Sequence, residues 1–292
     1  LTRSQLSTCI AEHSPFLFDG AMGTRLLTLA PDNRAPVDLL SLERPDLVRS
    51  VHREYREAGA AVLTTNTFGA NRFRMPGREA LVERIDRAAV RLAREEAGSC
   101  LVAGSIGPSG LHQDLPGDGE LREAFREQAR ALESEGVDMF VCETFGDPRE
   151  LRMAILGVRD VSSAPLIALM MFTADARTPS GHSPRQISVE LEKLPIDAVG
   201  VNCGVGEDTV TRVVKELSRS TSLPIAALPN AGEPERNESD LRYPLGPEAF
   251  AALLVQLVPY ASILGGCCGT TAAHLVAGRA ALEANRRQKF VH

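Results

Sequence analysis

The chain has 292 residues, 43% apolar and 24% charged, a balance that excludes intrinsic disorder as its main state and allows a large core. A formal charge of −6, with no basic stripe interleaved with aromatics, argues against a nucleic-acid partner. The longest apolar runs, 164–172 and 249–255, are too short to span a bilayer, and no charged-then-apolar leader opens the sequence, so a cytosolic location is expected.

In chain order, a polar segment, 1–14, leads into the first of eight short apolar runs: 15–19, 60–65, 100–105, 137–143, 165–172, 197–202, 224–229 and 260–266. They lack polar alternation, as strands buried on both faces do. Segments of helical periodicity lie between them. Pro45 opens a helix whose stripe is Val48, Val51, Tyr55 and Ala58, and Gly59 closes it. Leu81, Ile85, Ala88 and Leu92 repeat the pattern, then Leu121, Phe125, Ala129 and Leu132 up to Gly136. Asp147-Pro148 and Ser183-Pro184 each read as an N-cap followed by a first helical proline. Further stripes are Val210, Val213 and Leu217, then Phe250, Leu253 and Leu257, and finally Leu275 and Leu282 after Thr270-Thr271.

Eight strands alternating with helices predict an α/β fold, a (β/α)₈ TIM barrel of parallel strands, as a single domain over 1–292. A doubly wound sheet is the alternative, but Asp19-Gly20-Ala21-Met22-Gly23-Thr24 lacks the spacing of a dinucleotide-binding glycine loop. The polar stretch 232–243 reads as a long loop on the active face.

In a barrel, chemistry gathers at the C-terminal strand ends. Cys203 follows the sixth strand, and Cys267 and Cys268 follow the eighth, so closure brings three sulfurs to either side of the seventh. Three thiolates suit Zn²⁺ and leave one position open, the pattern of a catalytic rather than a structural site. Buried apolar thiols and a redox disulfide are the competing readings, although no C-x-x-C is present. A Zn(Cys)₃ centre is a poor generator of hydroxide and well suited to holding a fourth thiolate, which implies alkylation of a thiol.

The rest of the rim fits an amino-acid thiol. Asp19 and Glu143 each suit an ammonium, and the turn Gly20-Ala21-Met22 offers N–H groups to a carboxylate. Asp19 also fits a turn carboxylate, Glu143 a buried ion pair and Asn230 a turn residue. Asn202 ends the sixth strand beside the thiol and is counted with the substrate contacts. Asn66 and Asn71 either fix the loop after the second strand or touch substrate. His182 carries no role, and His274 is expected on a helix surface.

The motifs DGAMGT (19–24), TNTFGAN (65–71), ET (143–144), VNCG (201–204), PNAG (229–232) and GGCCGT (265–270) resemble the homocysteine S-methyltransferase family, including the homocysteine-binding module of cobalamin-dependent methionine synthase. The resemblance spans essentially the whole chain. It implies zinc on Cys203, Cys267 and Cys268, homocysteine sulfur at the open position, and Asn230 as an extra zinc ligand when substrate is absent. It also implies Asp19 and Glu143 at the substrate's amino end and the first turn at its carboxylate. The methyl donor would be methylcobalamin or methyltetrahydrofolate supplied by another module, a sulfonium, or betaine. The absence of Trp ranks betaine last, since a quaternary ammonium wants an aromatic cage. The segments at 65–68, 177–181 and 229–232 look closest to the methionine-synthase module, which implies a corrinoid-carrying domain or protein as partner. A homocysteine-docking module with little turnover of its own is the rival function. A Schiff-base lyase is disfavoured, because no predicted strand end carries Lys.

Overall fold

The computed structural model describes residues 2–13, 15–111, 115–204, 206–236 and 241–289. Seven strands follow in order: β1 (Phe16–Leu17), β2 (Val62–Thr64), β3 (Leu101–Ile106), β4 (Met139–Phe145), β5 (Leu166–Met170), β6 (Ala198–Asn202) and β7 (Ile225–Leu228). A small antiparallel hairpin, β8 (Glu235–Arg236) with β9 (Leu241–Arg242), precedes β10 (Ile263–Leu264). All strands but the hairpin form one parallel sheet in the order β1-β10-β7-β6-β5-β4-β3-β2. A parallel bridge between Phe18 and Val62 brings β1 against β2 and closes the ring. This is the expected (β/α)₈ barrel, with its strands at the expected places. The 232–243 stretch departs from a plain loop by folding part of itself into the hairpin; residues 237–240 lie outside the described residues.

Although both strand faces are apolar, they have different neighbours. Phe16, Phe18, Val62, Met139, Val141 and Ile167 are among those filling the barrel's interior. Leu17, Leu63, Val102, Phe140 and Leu166 pack outward with the helices. The capping signals act as expected. Gly59, at φ 95°, ends helix Pro45–Ala58. Asp147 accepts the N–H groups of Arg149 and Glu150, and Ser183 forms a capping box with Gln186.

Three α-helices among the described residues lie beyond the expectation, one of them the short turn Leu40–Glu43 just before Pro45. The 1–14 segment, expected only to lead into the first strand, is helical over Arg3–His13. Its Leu6 and Ile10, one turn apart, are buried with the interior cluster and plug the N-terminal mouth. A second helix, Met22–Leu29, starts inside the DGAMGT motif directly after β1. Among the described residues no helix is long and apolar enough to cross a membrane.

Candidate metal and substrate site

At the C-terminal rim a cavity of about 290 Å³ is lined by the turn after β1, the ends of β2 to β4, Cys203 after β6, and the turn after β10. A wider groove of about 630 Å³ lies at the opposite rim, beside Arg56, Arg279 and Arg286. The cysteine trio and two buried carboxylates are at the smaller cavity, which is therefore the candidate site.

The Sγ atoms of Cys203, Cys267 and Cys268 lie within 4.8 Å of one another, with Cys203 to Cys268 at 3.9 Å. Sulfurs on one tetrahedral zinc, each about 2.3 Å from it, stand about 3.8 Å apart, so the trio fits a shared ion. The backbone is bent to bring them there: Cys203 is left-handed at φ 58°, and Gly204 follows at φ 87°. Hydrogen bonding with the other two thiols holds Cys203 well below the ordinary thiol range, and the contact with Cys203 is the chief cause that raises Cys267 and Cys268 above it. One negative charge is thus favoured and suppresses the next two, so three thiolates require a cation among them. Asn230 supports the same reading. Its Oδ1 is buried without a partner, while its Nδ2 donates to Gly204 O at 3.4 Å.

Asp19 is 2% exposed; its Oδ2 accepts the Thr64 N–H at 2.7 Å and its Oδ1 the Thr64 hydroxyl at 2.8 Å. Glu143 accepts from Ser105 Oγ at 2.5 Å and from Asn202 Nδ2 at 3.1 Å. Burial pushes both carboxyls up to about 7, against the hydrogen bonds that favour their ionised forms. Among the described residues neither has an ion-pair partner, so the buried ion pair considered for Glu143 is not formed. A cationic ligand between them would supply the missing charge. Glu143 and Thr144 form a bulge where β4 slips against β5, with Thr144 left-handed at φ 62°.

The turn after β1 differs in detail from the expectation. The Ala21 N–H is taken by Thr270 Oγ1 at 3.0 Å. Met22 and Gly23, the first residues of helix Met22–Leu29, line the cavity, and the helix has no side-chain cap. Its first N–H groups are therefore the donors left for a carboxylate. Gly20 lines the cavity, where a Cβ would come within 2.8 Å of Thr270 Oγ1 and of the Tyr55 ring. Asn202 is fully buried and lies behind the lining, bound to Glu143 and Thr144.

Asn71 fixes its own loop, accepting from Phe73 N and Arg74 N and donating to Pro108 O, whereas Asn66 lines the cavity and is anchored to Val37 O and Ser41. His182 bonds Ser180 Oγ at 3.0 Å. His274 is not a surface residue: it is 8% exposed, with Nδ1 at Thr271 Oγ1 and Nε2 at Leu245 O, both 2.9 Å, because the β7–β10 connection folds over the last helix. Two tyrosines had no functional signal in the sequence. Tyr55 read as a core stripe, and Tyr243 lay in a polar loop. The Tyr243 ring packs on Gly269, and its hydroxyl, pushed up by burial and by the adjacent sulfur charge, reaches Cys268.

Comparison with known proteins is consistent along the whole barrel. Residues 16–282 match the family described as homocysteine S-methyltransferase. Methionine synthase of Mycobacterium tuberculosis (strain ATCC 25618 / H37Rv) is 33% identical over 284 residues, covering 88% of this chain and 24% of that protein. Methionine synthase of Mycobacterium leprae (strain TN) is 31% identical, covering 88% and 23%. The chain thus spans about a quarter of the length of these curated relatives. The metallated form of the homocysteine methyltransferase MmuM from Escherichia coli superposes with a TM-score of 0.80 at 26% identity, covering 94% of this chain and 99% of that one.

Proposed function

The chain belongs to the homocysteine S-methyltransferase family, and on that premise we propose that it binds homocysteine beside a zinc ion and methylates its sulfur to give methionine. The observation that carries the reading is the convergence of three sulfurs within 4.8 Å on a cavity that also buries two carboxylates lacking an ion-pair partner among the described residues. Cys203, Cys267 and Cys268 would hold the metal, with Asn230 Oδ1 as the spare ligand in the absence of substrate. Zinc held by these three sulfurs would favour the thiolate form of a substrate thiol, the nucleophile toward a methyl group, at neutral pH.

The chain's own residues place the substrate. Asp19 and Glu143 take the ammonium, and the uncapped start of helix Met22–Leu29 takes the carboxylate. The homocysteine thiol gives its proton to solvent, and its sulfur forms a bond to the methyl carbon as the donor's bond to that carbon breaks, the electron pair of that bond staying with the donor. The product is a neutral thioether.

For the donor, a cobalamin- or folate-borne methyl group delivered by another module or protein is proposed ahead of a free sulfonium, on the similarity to methionine synthases. Betaine ranks last. Phe68 is the one aromatic among the described lining residues, and one face of its ring already carries Arg74, 5.2 Å from the centroid. A second reading, a homocysteine-docking module with little turnover of its own, is favoured by the chain matching only a quarter of its curated relatives. The proposed setting is the cytosol, where thiols stay reduced.

The test is metal analysis of protein purified without chelator, followed by a donor panel with homocysteine scored for methionine. About one zinc per chain is expected, lost together with activity in Cys268→Ser. Zinc-free protein whose three thiols all react freely with a thiol reagent would overturn the proposal. Binding of homocysteine with no turnover from any donor would establish the docking module instead.

A further inference from the structure

The two turns of the site are held together by a clasp that includes a side chain from outside the cavity. Tyr55, on helix Pro45–Ala58, is fully buried, and its hydroxyl donates toward two carbonyls, Ala21 O at 2.8 Å and Thr270 O at 3.1 Å. Thr270 Oγ1 accepts the Ala21 N–H at 3.0 Å and donates to Cys267 O at 2.7 Å. Gly266 N–H donates to Asp19 O at 2.9 Å, and Gly269 N–H to Thr24 Oγ1 at 3.0 Å. Every one of these bonds joins the turn that carries Asp19 and opens the helix at Met22 to the turn that carries Cys267 and Cys268, or braces one of the two. Phe would fill the Tyr55 site equally well. The phenol is tolerated in the core because both carbonyls lie within reach of its proton.

We infer that Tyr55 and Thr270 are positioning residues that set the spacing between the amino-acid subsite and the sulfur subsite, so that a small thiol with an amino-acid end engages both at once. The inference rests on the function proposed above. Two linked contacts reinforce each other only when their separation matches the ligand, and an error of about 1 Å is enough to lose most of the gain. The clasp fixes that separation through buried hydrogen bonds rather than through flexible side chains.

The test uses the cobalt(II)-substituted protein, in which an added thiolate raises the sulfur-to-metal absorption. Homocysteine and 1-propanethiol, which lacks the amino-acid end, are titrated against wild type and Tyr55→Phe. Wild type should prefer homocysteine. Tyr55→Phe should lose about tenfold of that preference while binding 1-propanethiol as before, a pattern that general destabilisation does not produce. Thr270→Val should behave like Tyr55→Phe, and Thr270→Ser, which keeps the hydroxyl, like wild type; this pair carries the test if Tyr55→Phe does not fold. A variant that keeps the full preference, or weakens both thiols alike, overturns the inference. Equal affinity for the two thiols in wild type itself would instead remove the amino-acid subsite, and the proposed function with it.

Discussion

Asn202 and Thr144 are bound to each other twice across two strands: Asn202 Oδ1 accepts the Thr144 N–H, and Asn202 Nδ2 donates to Thr144 Oγ1, both at 2.7 Å. Thr144 needs this support, because a left-handed non-glycine residue at φ 62° costs about 1–2 kcal/mol. The same Nδ2 reaches Glu143 Oε2 at 3.1 Å and Cys267 Sγ at 3.6 Å. Asn202 immediately precedes Cys203. One buried amide therefore ties the bulge presenting Glu143 to the sulfur cluster.

Replacing that amide should disturb both. Asn202→Ala leaves the Thr144 N–H and one Glu143 oxygen short of a buried partner, a loss of about 2–4 kcal/mol. The denaturant midpoint should fall, and the KM for homocysteine should rise by roughly tenfold as Glu143 loses its fixed position. A wild-type midpoint with wild-type KM would show that the bulge holds itself.

Asn230 makes a separate prediction about the metal. Its Oδ1 is buried and unpartnered beside the sulfur cluster. If that oxygen is the spare ligand, Asn230→Ala should lower zinc affinity by roughly tenfold when homocysteine is absent. The difference should vanish when homocysteine saturates the site, because the substrate sulfur then takes the position. Chelator competition with and without homocysteine measures both; an equal loss in the two conditions would assign Asn230 to packing.

The barrel is legible in the sequence because its signals are local. Pro45 with Gly59, Asp147 with Pro148 and Ser183 with Pro184 bracket helices between apolar runs. The grouping of Cys203 with Cys267 and Cys268 follows from strand order alone, since β6 and β10 flank β7. What the sequence hides depends on partners far along the chain. The Ala21–Thr270 bond spans 249 residues, so nothing near Tyr55 marks its hydroxyl as part of the site. The bulge at Glu143 is a register slip against β5, invisible in an unbroken apolar run. His274 is buried by a connection whose path local periodicity does not encode. Among the described side chains of helix Arg3–His13 the buried ones are Leu6 and Ile10, a pair in a polar segment and too thin a stripe to read.

That thin stripe nonetheless closes the barrel. Leu6 is 1% exposed and packs with the interior cluster, so Leu6→Ala should open a cavity at the N-terminal mouth and cost about 2–5 kcal/mol. The site lies at the other rim, so zinc content should stay unchanged while the denaturant midpoint drops. An unaltered midpoint would mean that the helix merely rests on the mouth.

Asp19 gives the pH dependence. Its carboxyl lies near 3.8 in an unfolded chain and at about 7 in the folded one, raised chiefly by burial and further by the charge of Glu143. Between those values the folded chain holds a proton that the unfolded chain has released. The favourable contribution is therefore complete below about pH 4 and lost as pH rises through about 7. Asp19→Asn stays neutral throughout and keeps a donor and an acceptor for Thr64. The variant should match wild type near pH 4 and become the more stable protein by pH 8, by at most about 4 kcal/mol. Binding should run the opposite way. An ionised Asp19 best meets an ammonium, so wild-type affinity for homocysteine should rise as pH passes upward through about 7, and Asp19→Asn should keep only the smaller rise that Glu143, also at about 7, supplies. Denaturant midpoints and homocysteine titrations at pH 5 and pH 8 decide the matter; parallel curves for the two proteins would mean that Asp19 does not titrate in this range. A site that costs stability when empty and recovers it when a cation enters is what a cavity holding two buried carboxylates, with no counter-charge among the described residues, requires.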